Sequence, residues 1–460
     1  MLKKLALLVL TMFVCTCVSR AAVINPDFSK VISRQDLSRT SSIAIAVKDL
    51  NTSKVLYKKN ENKMLNTAST LKLFTFASAL DTLGNDYKFE TAFYVYGNNL
   101  YLKLGADPLL EKNDLFELVS KLKKSVNFKT IKYIYIDDKI ISSTPYPDGW
   151  CVDDFWPNFP PISPYIIDRN TVKIRLVLSI ARDSINIVQQ DRYRFSFINR
   201  LQITDDSTKI DIVKDYSGMK EVMGLTGTIN EDTDLKLPVN NPRYFFITRL
   251  EDAFGKYSIP YGDKFYFKEV PAGAKKIASV SHSIEEVSVP ILKYSDNFTS
   301  EVLFRVAAHK YALKNNIKPQ TNGMSTGTTK NGVLMFMNYY SKAGLDMEGI
   351  KIVDGSGVSR YNAASPGWIC DALVYLNKNL DIRKYMQTAD DGTLKKRLRY
   401  LKDNLYAKTG THNGLSALCG VLKTRKGKDV VFSIVIQSYS LAQGVLKSFE
   451  DDLVDCIFSL

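Results

Sequence analysis

Ser69-Thr70-Leu71-Lys72 places a hydroxyl and an amine three positions apart, at the start of an apolar run from Leu71 to Leu80. The run predicts a helix with Ser69 at its N-terminus, where Ser69 and Lys72 share a face. A serine nucleophile needs a base, and a partly buried lysine with a lowered pKa can be that base. The free backbone N–H groups at a helix N-terminus can hold a developing oxyanion. The segment therefore predicts acyl transfer through a serine.

The spacing alone does not single out this serine. Ser-x-x-Lys occurs three times and Ser-x-Asn three times, whereas Lys-Thr-Gly occurs once, at Lys408-Thr409-Gly410. Ser69, Ser295 and Lys408 lie in the order of the three motifs in serine acyl-transfer enzymes that act on penicillin-like acyl groups. The other copies begin at Ser120, Ser217, Ser125 and Ser184. Ser120 falls in a lysine-rich amphipathic run and Ser217 in an acidic, glycine-bearing loop, so context favours Ser69.

The surrounding elements must bring these three motifs together. Strands are predicted on either side of them, and the helices that follow Ser295 complete the pattern. This order predicts a mixed α/β (α+β) domain, in which an antiparallel sheet flanked by helices joins both chain ends. The predicted strands are 42–47, 55–57, 415–422 and 430–437, and the predicted helices are 295–313, 332–343, 368–376 and 441–460.

The long interval between Ser69 and Ser295 predicts an insertion. Residues 91–96 and 100–104 resemble a hairpin, a helix begins at Asp114, and strand-like segments continue to about Val270. We expect residues 22–87 and 272–460 to form the catalytic domain. Residues 88–271 would be a β-rich insertion of two nested smaller domains.

Composition limits the compartment and the partners. Lys3 and Lys4 precede an apolar run, and Ser19-Arg20-Ala21 offers a cleavage site, so residues 1–21 predict a secretory signal peptide and an exported, periplasmic protein. The formal net charge is +14, but the basic residues are spread without a clustered arm, which disfavours nucleic acid as a partner. No stretch of the mature chain is expected to span a membrane.

The cysteines and histidines predict neither a metal site nor a disulfide framework. Cys151, Cys370, Cys419 and Cys456 remain after residue 21, and the whole chain has three histidines. Buried apolar thiols are the expected state, with a Cys419–Cys456 pair left open. We expect no metal and no other cofactor.

With these motifs the chain resembles the class C low-molecular-mass penicillin-binding proteins, which are D-alanyl-D-alanine carboxypeptidases and endopeptidases. The likeness covers nearly all of the mature chain and follows a run of phrases in order. Besides the three motifs, they are Gly105-Ala106-Asp107-Pro108, Gly149-Trp150 with Asp153, Asp168-Arg169-Asn170, Asp354 to Arg360 and Asp391-Gly392-Thr393-Leu394. The resemblance implies a penicillin-binding/β-lactamase-like transpeptidase fold with inserted domains.

The resemblance also implies catalytic roles. Ser69 would attack the carbonyl between two D-alanines with Lys72 as general base, and Ser295 would relay a proton to the leaving amine. Asn297 would bind the substrate amide and orient Lys72. Lys408 would supply positive charge and, with Thr409, attract the terminal carboxylate. The backbone N–H groups of Ser69 and Thr411 would form the oxyanion hole, and Gly410 would let the substrate backbone approach the strand edge.

The resemblance also implies a pocket for the free end of a diamino-acid stem peptide. Ser356 and Arg360 are candidates, with Trp150, Asp153 and Thr411 nearby. His412 takes a position that is apolar in some relatives. The implied partners are peptidoglycan stem peptides, with β-lactam antibiotics as covalent inhibitors.

Other interpretations stay open at this point. Ser69 can be an ordinary N-cap, Ser295-Asp296-Asn297 can cap a helix, and Lys408 can begin an ordinary strand. No Glu-x-x-Leu-Asn follows Ser69, which disfavours a class A β-lactamase. The alternative function is a catalytically idle wall-binding scaffold of the same fold.

Overall fold

The computed structural model describes residues 27–34, 37, 39–144, 146–152, 159–214, 221–261, 265–320 and 324–460. The predicted signal peptide, residues 1–21, lies outside these ranges, and so does Asp153. The strands are β1 Ser42–Asp49, β2 Val55–Lys59, β3 Lys88–Tyr96, β4 Asn99–Lys103, β5 Tyr133–Asp137, β6 Thr171–Leu178, β7 Ile185–Gln189, β8 Ser196–Ile203, β9 Lys209–Lys214, β10 Val222–Ile229, β11 Thr233–Pro238, β12 Tyr266–Phe267, β13 Lys275–Ser283, β14 Gln387–Thr388, β15 Leu405–His412, β16 Leu415–Lys423 and β17 Asp429–Gln437. The α-helices are α1 Phe28–Ile32, α2 Leu71–Leu83, α3 Lys112–Ser125, α4 Pro242–Lys256, α5 Ile284–Leu292, α6 Asn297–Lys314, α7 Thr329–Lys342, α8 Pro366–Asn379 and α9 Gln443–Phe458.

A six-stranded antiparallel sheet joins the two ends of the chain. Its strand order is β14-β15-β16-β17-β1-β2, and β1 pairs with β17 from Ser42–Gln437 to Asp49–Val430. The inner residues of β17 are buried without alternation, because α8 covers one face of the sheet and α9 the other. Both faces therefore need apolar side chains, as the run Val430 to Ile436 provides. The predicted fold class is confirmed: helices flank an antiparallel sheet that closes over both chain ends.

Helix α2, which carries Lys72, lies inside the helical layer. Ten of its residues are buried, from Leu71 to Leu80, and it packs on α6, α7 and α5. A helix surrounded on all sides has no polar face, which explains why its sequence is apolar all round. Phe74 and Phe76 anchor it against Trp368 and Tyr385, with ring centroids 5.4 and 4.9 Å apart. The start of α2 is thereby held rigidly beside β15.

The inserted region builds three further sheets. A five-stranded mixed sheet has the order β12-β5-β4-β3-β13, and α3 is the crossover between the parallel strands β4 and β5. Two three-stranded sheets, β8-β10-β9 and β11-β6-β7, lie within the chain segment between β5 and β12. Strand β13 pairs with β3 along Lys275–Ser283, so a domain boundary after Ser283 would keep the five-stranded sheet whole. The predicted boundary at residue 271 stays a prediction.

Three α-helices, α1, α4 and α5, were missed by the sequence analysis. The strand-like assignment up to Val270 is wrong for Pro242–Lys256, which is α4, and the chain also forms α5. Asn241 caps α4 by accepting a bond from the Tyr244 N–H at 3.0 Å, and Pro242 stands at its first position. The aromatic content of α4 favours a strand by propensity, but Phe245, Phe246 and Phe254 are buried as one helix face in the inserted core. Tertiary packing overrides the propensity here.

Four cysteines are described, and all are free thiols. Cys370, Cys419 and Cys456 are buried as expected, whereas Cys151 is exposed, so the expectation was wrong for that residue. Cys419 and Cys456 do not form a disulfide. Within the described ranges, no helix has the length and apolar character that crossing a membrane requires.

Candidate active site

A short 3₁₀ turn, Ala68–Thr70, carries Ser69 directly into α2. Ala68 is buried with φ +43°, a left-handed conformation that a non-glycine residue adopts only when its surroundings enforce it. Asn66 supplies part of that restraint: its Oδ1 accepts the Ala68 N–H at 2.8 Å, and its Nδ2 donates to the Ser359 carbonyl at 3.0 Å. The half-buried Ser69 side chain thus starts from a fixed backbone.

Lys72 is fully buried one turn further along. Its Nζ lies 2.8 Å from Ser69 Oγ, 2.7 Å from Asn297 Oδ1 and 2.5 Å from the Ser356 carbonyl oxygen. Burial lowers the pKa of Lys72 to about 8, because the charged ammonium loses its water. Asp354 opposes this shift. The predicted pair of Ser69 and Lys72 is therefore in contact, and its amine has the lowered pKa that a base requires.

Lys408 lies in β15 beside the second motif. Its Nζ donates to Ser295 Oγ and to the Thr409 carbonyl, both at 2.9 Å, and only 1% of the residue is exposed. Burial lowers the pKa of Lys408 well below its usual value, and the nearby charge of Lys72 lowers it further. Two neighbouring buried ammonium groups oppose each other's charge, so the site favours a neutral amine at one position.

The second motif is both a helix cap and part of the cleft. Helix α6 begins at Asn297, and Asp296 caps it by accepting the Thr299 N–H at 2.7 Å. Ser295 precedes the cap with φ +60°. The capping interpretation was correct for Asp296, while Ser295 and Asn297 turn their side chains to the two lysines.

The turn from Asp354 to Ser359 holds Lys72 from the other side. Gly357 has φ +80°, and a Cβ there would lie 2.0 Å from the Ala68 carbonyl oxygen, so only glycine fits. Asp354 accepts the N–H groups of Gly357 and Ser359 at 2.7 and 2.6 Å. This turn also supplies the carbonyl that binds Lys72.

A buried ion pair beneath this turn was missed. Glu301 Oε1 accepts the N–H groups of Gly355 and Ser356 at 2.9 and 2.8 Å, and Arg305 Nη1 binds Glu301 Oε2 at 2.5 Å. Neither side chain is exposed to solvent. The ion pair could have been predicted from the sequence, because Glu301 and Arg305 stand four residues apart on an otherwise apolar helix face, and Glu301 follows Asn297 by four residues.

Strand β15 places the third motif against the serine turn. Thr409 Oγ1 lies 2.6 Å from Thr393 Oγ1, while Thr411 is exposed. A Cβ on Gly410 would lie 3.0 Å from Ala68 Cβ and 3.2 Å from the Ser69 nitrogen. The glycine thus lets the strand approach the serine turn. From the sequence, a glycine was expected here for another reason, the approach of the substrate backbone. Thr393 belongs to one of the family-like phrases of the sequence, but no role in the site was predicted for it.

The outer pocket residues occupy varied positions. Ser356 is fully buried, with its Oγ 3.4 Å from Asp354 Oδ2, so its side chain does not face an open pocket. Trp150 donates from Nε1 to Asp354 at 2.8 Å, and Arg360 Nη1 lies 3.5 Å from the Asn413 carbonyl oxygen. His412 is buried, with Nε2 2.9 Å from the Gly357 carbonyl oxygen. This polar contact therefore fixes the imidazole.

The chain is similar to D-alanyl-D-alanine carboxypeptidases over most of its length. The D-alanyl-D-alanine carboxypeptidase DacB of Haemophilus influenzae is 24% identical over 430 residues, which cover 88% of this chain and 87% of that protein. A D-alanyl-D-alanine carboxypeptidase of Actinomadura sp. is 25% identical, with 92% of this chain and 82% of that protein covered. The crystal structure of penicillin binding protein 4 from Haemophilus influenzae superposes with a TM-score of 0.79 at 23% identity, covering 94% of this chain and 99% of that one.

A profile of the D-Ala-D-Ala carboxypeptidase 3 (S13) family matches residues 25–457, nearly the whole chain. The likeness in structure independently gives the same fold. The chain therefore belongs to the D-Ala-D-Ala carboxypeptidase 3 (S13) family and is a serine-type D-Ala-D-Ala carboxypeptidase.

Proposed function

We propose that Ser69 is the nucleophile and Lys72 its general base. A neutral lysine has two N–H donors and one lone pair. Asn297 Oδ1 and the Ser356 carbonyl are obligatory acceptors within 2.7 Å of Nζ, so they take both donors and leave the lone pair for the Ser69 hydroxyl. This hydrogen-bond count is the observation that carries the proposal, because in the neutral amine it leaves the lone pair directed at the Ser69 hydroxyl.

The reaction then proceeds through an acyl-enzyme. Ser69 Oγ attacks the carbonyl between the two D-alanines while its proton passes to Lys72, and the C–N bond breaks as Ser295 passes a proton to the leaving amine. Water resolves the ester, which releases the shortened peptide. The backbone N–H groups of Ser69 and Thr411 serve as the oxyanion hole, a role supported by the approach of β15 to the Ser69 nitrogen at Gly410.

Lys408 and Thr409 bind the terminal carboxylate of the substrate. Burial disfavours the charged form of Lys408 in the free enzyme, but an incoming carboxylate would restore it by direct attraction. Thr393 orients the Thr409 hydroxyl through the 2.6 Å contact between their oxygens. Asn297 both orients Lys72 and offers its side-chain amide to the substrate backbone.

The substrate we propose is the D-alanyl-D-alanine end of a peptidoglycan stem peptide, or a D-alanyl cross-link, met by an exported periplasmic enzyme. Support comes from the names of the relatives and from the signal-peptide pattern of residues 1–21. One solved structure of the Haemophilus influenzae protein, with a TM-score of 0.74, contains a β-lactam. We therefore propose that β-lactams acylate Ser69 in this chain too.

Arg360 and Trp150 form the proposed contact region for the distal end of the stem peptide, with Thr411 at its inner edge; Asp153, the other residue proposed for it, lies outside the described residues. Arg360 is half-buried and Thr411 exposed, so both are accessible from the strand edge where the peptide would lie. Ser356 supports the site through its carbonyl bond to Lys72. We further propose a catalytic domain interrupted by a β-rich insertion from residue 88 to residue 283, because β13 pairs with β3, whereas the sequence predicts residue 271 as its end.

Covalent labelling by a fluorescent penicillin tests the proposal. We expect one labelled adduct per chain, lost in Ser69→Ala and retained in the matched control Ser120→Ala, which alters another Ser-x-x-Lys copy. Release of D-alanine from a synthetic D-alanyl-D-alanine peptide should follow the same pattern. Labelling that persists in Ser69→Ala would contradict the assignment. Peptide binding without D-alanine release would instead favour the idle wall-binding scaffold.

The pH dependence of acylation provides a second test. Because the base must be neutral, the acylation rate constant should rise with pH and level off above the pKa of Lys72, about 8. Stopped-flow acylation between pH 6 and pH 10 measures this limb. A rate that is flat across pH 8 would remove Lys72 from the role of base.

A further inference from the structure

The segment Asp168–Asn170 of the inserted region has an unusual backbone. All three residues have positive φ, at 49°, 56° and 52°. Asp and Asn tolerate this conformation better than other non-glycine residues, but arginine does not, so three such residues in succession require local restraint. Such a run of strained residues marks a place where the fold holds one side chain in a fixed direction.

Bonds on both sides of Arg169 supply that restraint. Asp168 accepts the Lys112 N–H at 2.9 Å and lies 3.3 Å from Arg249 Nε. Asn170 is fully buried, and its side chain bonds the Tyr165 carbonyl at 3.0 Å and the Ile167 N–H at 3.2 Å. The backbone of Arg169 is therefore fixed from its two neighbours rather than by its own side chain.

The Arg169 side chain leaves the inserted region and reaches the second motif. Its guanidinium forms an ion pair with Asp296 Oδ2, and its Nη1 lies 3.5 Å from Thr299 Oγ1. The other oxygen of Asp296 caps α6, and the Asp296 N–H donates to the Pro290 carbonyl at 2.8 Å. Asp296 stands between Ser295 and Asn297, the two residues whose side chains bind the buried lysines.

We propose that Arg169 is a positioning residue for acylation, through which the inserted region holds Ser295 and Asn297 in register with Lys408 and Lys72. The inference rests on the proposed roles of those four residues. A misplacement of about 1 Å in such a constellation lowers rates by up to about a hundredfold. The ion pair also offsets the negative charge of Asp296 near Lys72.

The effect of the ion pair on the charge near Lys72 distinguishes a positioning role of Arg169 from a purely stabilising one. The charged groups that face Lys72 are Asp354 in the turn, Asp296 and Glu301 on α6, and Lys408 on β15. Removing Arg169 leaves Asp296 uncompensated, which favours the ammonium form of Lys72. Removing the Asp296 charge has the opposite effect. The acid limb of the acylation profile should therefore move to higher pH in Arg169→Ala and to lower pH in Asp296→Asn.

The experiment is a double-mutant cycle on the full chain, read by stopped-flow acylation with a fluorescent penicillin. Asp296→Asn keeps a capping oxygen for α6, so it removes the ion pair without removing the cap. We expect Arg169→Ala to acylate about tenfold more slowly, Arg169→Lys to recover most of the rate, and the double variant to lose no more than the larger single loss. The matched control is Arg175→Ala. Arg175 lies on β6 and forms an ion pair with Asp232, and its side chain is 54% exposed. This variant should acylate like the wild type.

Each outcome decides one question. If the wild type is not acylated, the proposed function fails and Arg169 is not at issue. If the wild type is acylated and Arg169→Ala matches it in rate and pH profile, the positioning role is overturned. Additive losses in the cycle, or a lowered melting temperature with unchanged acylation, would also overturn it.

Discussion

The cleft and the inserted region, residues 88–283, place their charges differently. In the cleft, Lys72, Glu301, Arg305 and Asp354 are 0% exposed and Lys408 is 1% exposed. On β6 of the inserted region, the lysine and arginine side chains of the Lys173–Asp234 and Arg175–Asp232 pairs are 64% and 54% exposed. Burial of a charge is costly, so charges stay in water unless a function or a very good partner holds them inside.

The cores of the two regions follow the same contrast. Aromatic packing dominates part of the inserted core, where Tyr193 packs edge-to-face against Phe195 and Phe245 with ring centroids 5.5 and 5.4 Å apart. In the catalytic half, the apolar core around α2 surrounds a connected set of polar groups, from Arg305 through Glu301 and the Ser356 turn to Lys72. Apolar and aromatic contacts hold the inserted core together, whereas the catalytic half also buries the polar groups that the proposed chemistry uses.

Lys72→Met tests the contrast most strongly. Acylation should fall by about 10³-fold or more, since general-base catalysis is lost. The free energy of unfolding should stay within about 1 kcal/mol of the wild type, because relief of the buried charge offsets the lost hydrogen bonds. Penicillin acylation and urea unfolding measure the two quantities. A large loss of stability with retained acylation would show that Lys72 is structural.

Breaking one ion pair in each region compares buried with exposed charge. Arg305→Met leaves Glu301 unpaired at zero exposure, and we expect a loss of about 3 kcal/mol in unfolding free energy. Arg175→Ala removes a pair whose aspartate side chain is 39% exposed, and we expect a loss below about 0.5 kcal/mol. Urea unfolding of both variants gives the comparison. Equal losses would mean that burial does not set the value of these pairs.

Two glycines with nearly equal φ separate backbone strain from crowding. Gly357 in the cleft has φ +80° and a Cβ position 2.0 Å from a carbonyl oxygen, whereas Gly273 has φ +83° and no atom within 4 Å of that position. Gly273→Ala should lose about 1 kcal/mol from the left-handed backbone alone. Gly357→Ala should lose about 3 kcal/mol and also slow acylation, because Ala68 must move. Similar losses by unfolding would rule out crowding at Gly357.

The sequence predicted the parts of the cleft that are set locally. Ser69 and Lys72 are neighbours on one helix, and the apolar strands near both chain ends predict one sheet between them. Three motifs in a known order then supply the long-range arrangement that spacing alone does not. These features depend on short segments whose patterns can be recognised in the amino-acid sequence.

The rest depends on contacts between distant segments. Arg169 meets Asp296 across 127 positions, and nothing near Arg169 in the sequence indicates its partner. Gly410 shows the same limit, because its need for glycine comes from Ala68 on another element. Ser356 was expected in a pocket but is buried, since Asp354 and Glu301 draw its turn inward. Local patterns specify elements, whereas packing decides which face of each element reaches the site.

The inserted region also holds buried pairs, among them Arg249–Asp191 and Asp107–His282, and the second of these sharpens the comparison. Asp107 has no exposed side-chain surface, and its Oδ2 lies 2.7 Å from Nδ1 of His282. The bond to Asp107 raises the pKa of His282 to about 9, above its ordinary value of 6.5. A group with a raised folded pKa stabilises fully below its unfolded pKa, and that stability is lost as pH rises through the folded pKa. The contribution of His282 should therefore be complete below about pH 6.5 and lost through about pH 9.

Urea unfolding of the wild type and His282→Gln between pH 6 and pH 10 measures this contribution as a difference. We expect about 1 kcal/mol, well below the full value of the pKa shift, because solvent reaches the histidine and burial opposes the charge of Asp107. Lys72 titrates nearby with the opposite sign, since stability rises from pH 8 towards 10.5 where only the unfolded lysine binds a proton. The difference between the two proteins cancels that effect. If the difference is constant from pH 6 to pH 10, the pair is held by packing and its charge does not contribute to stability.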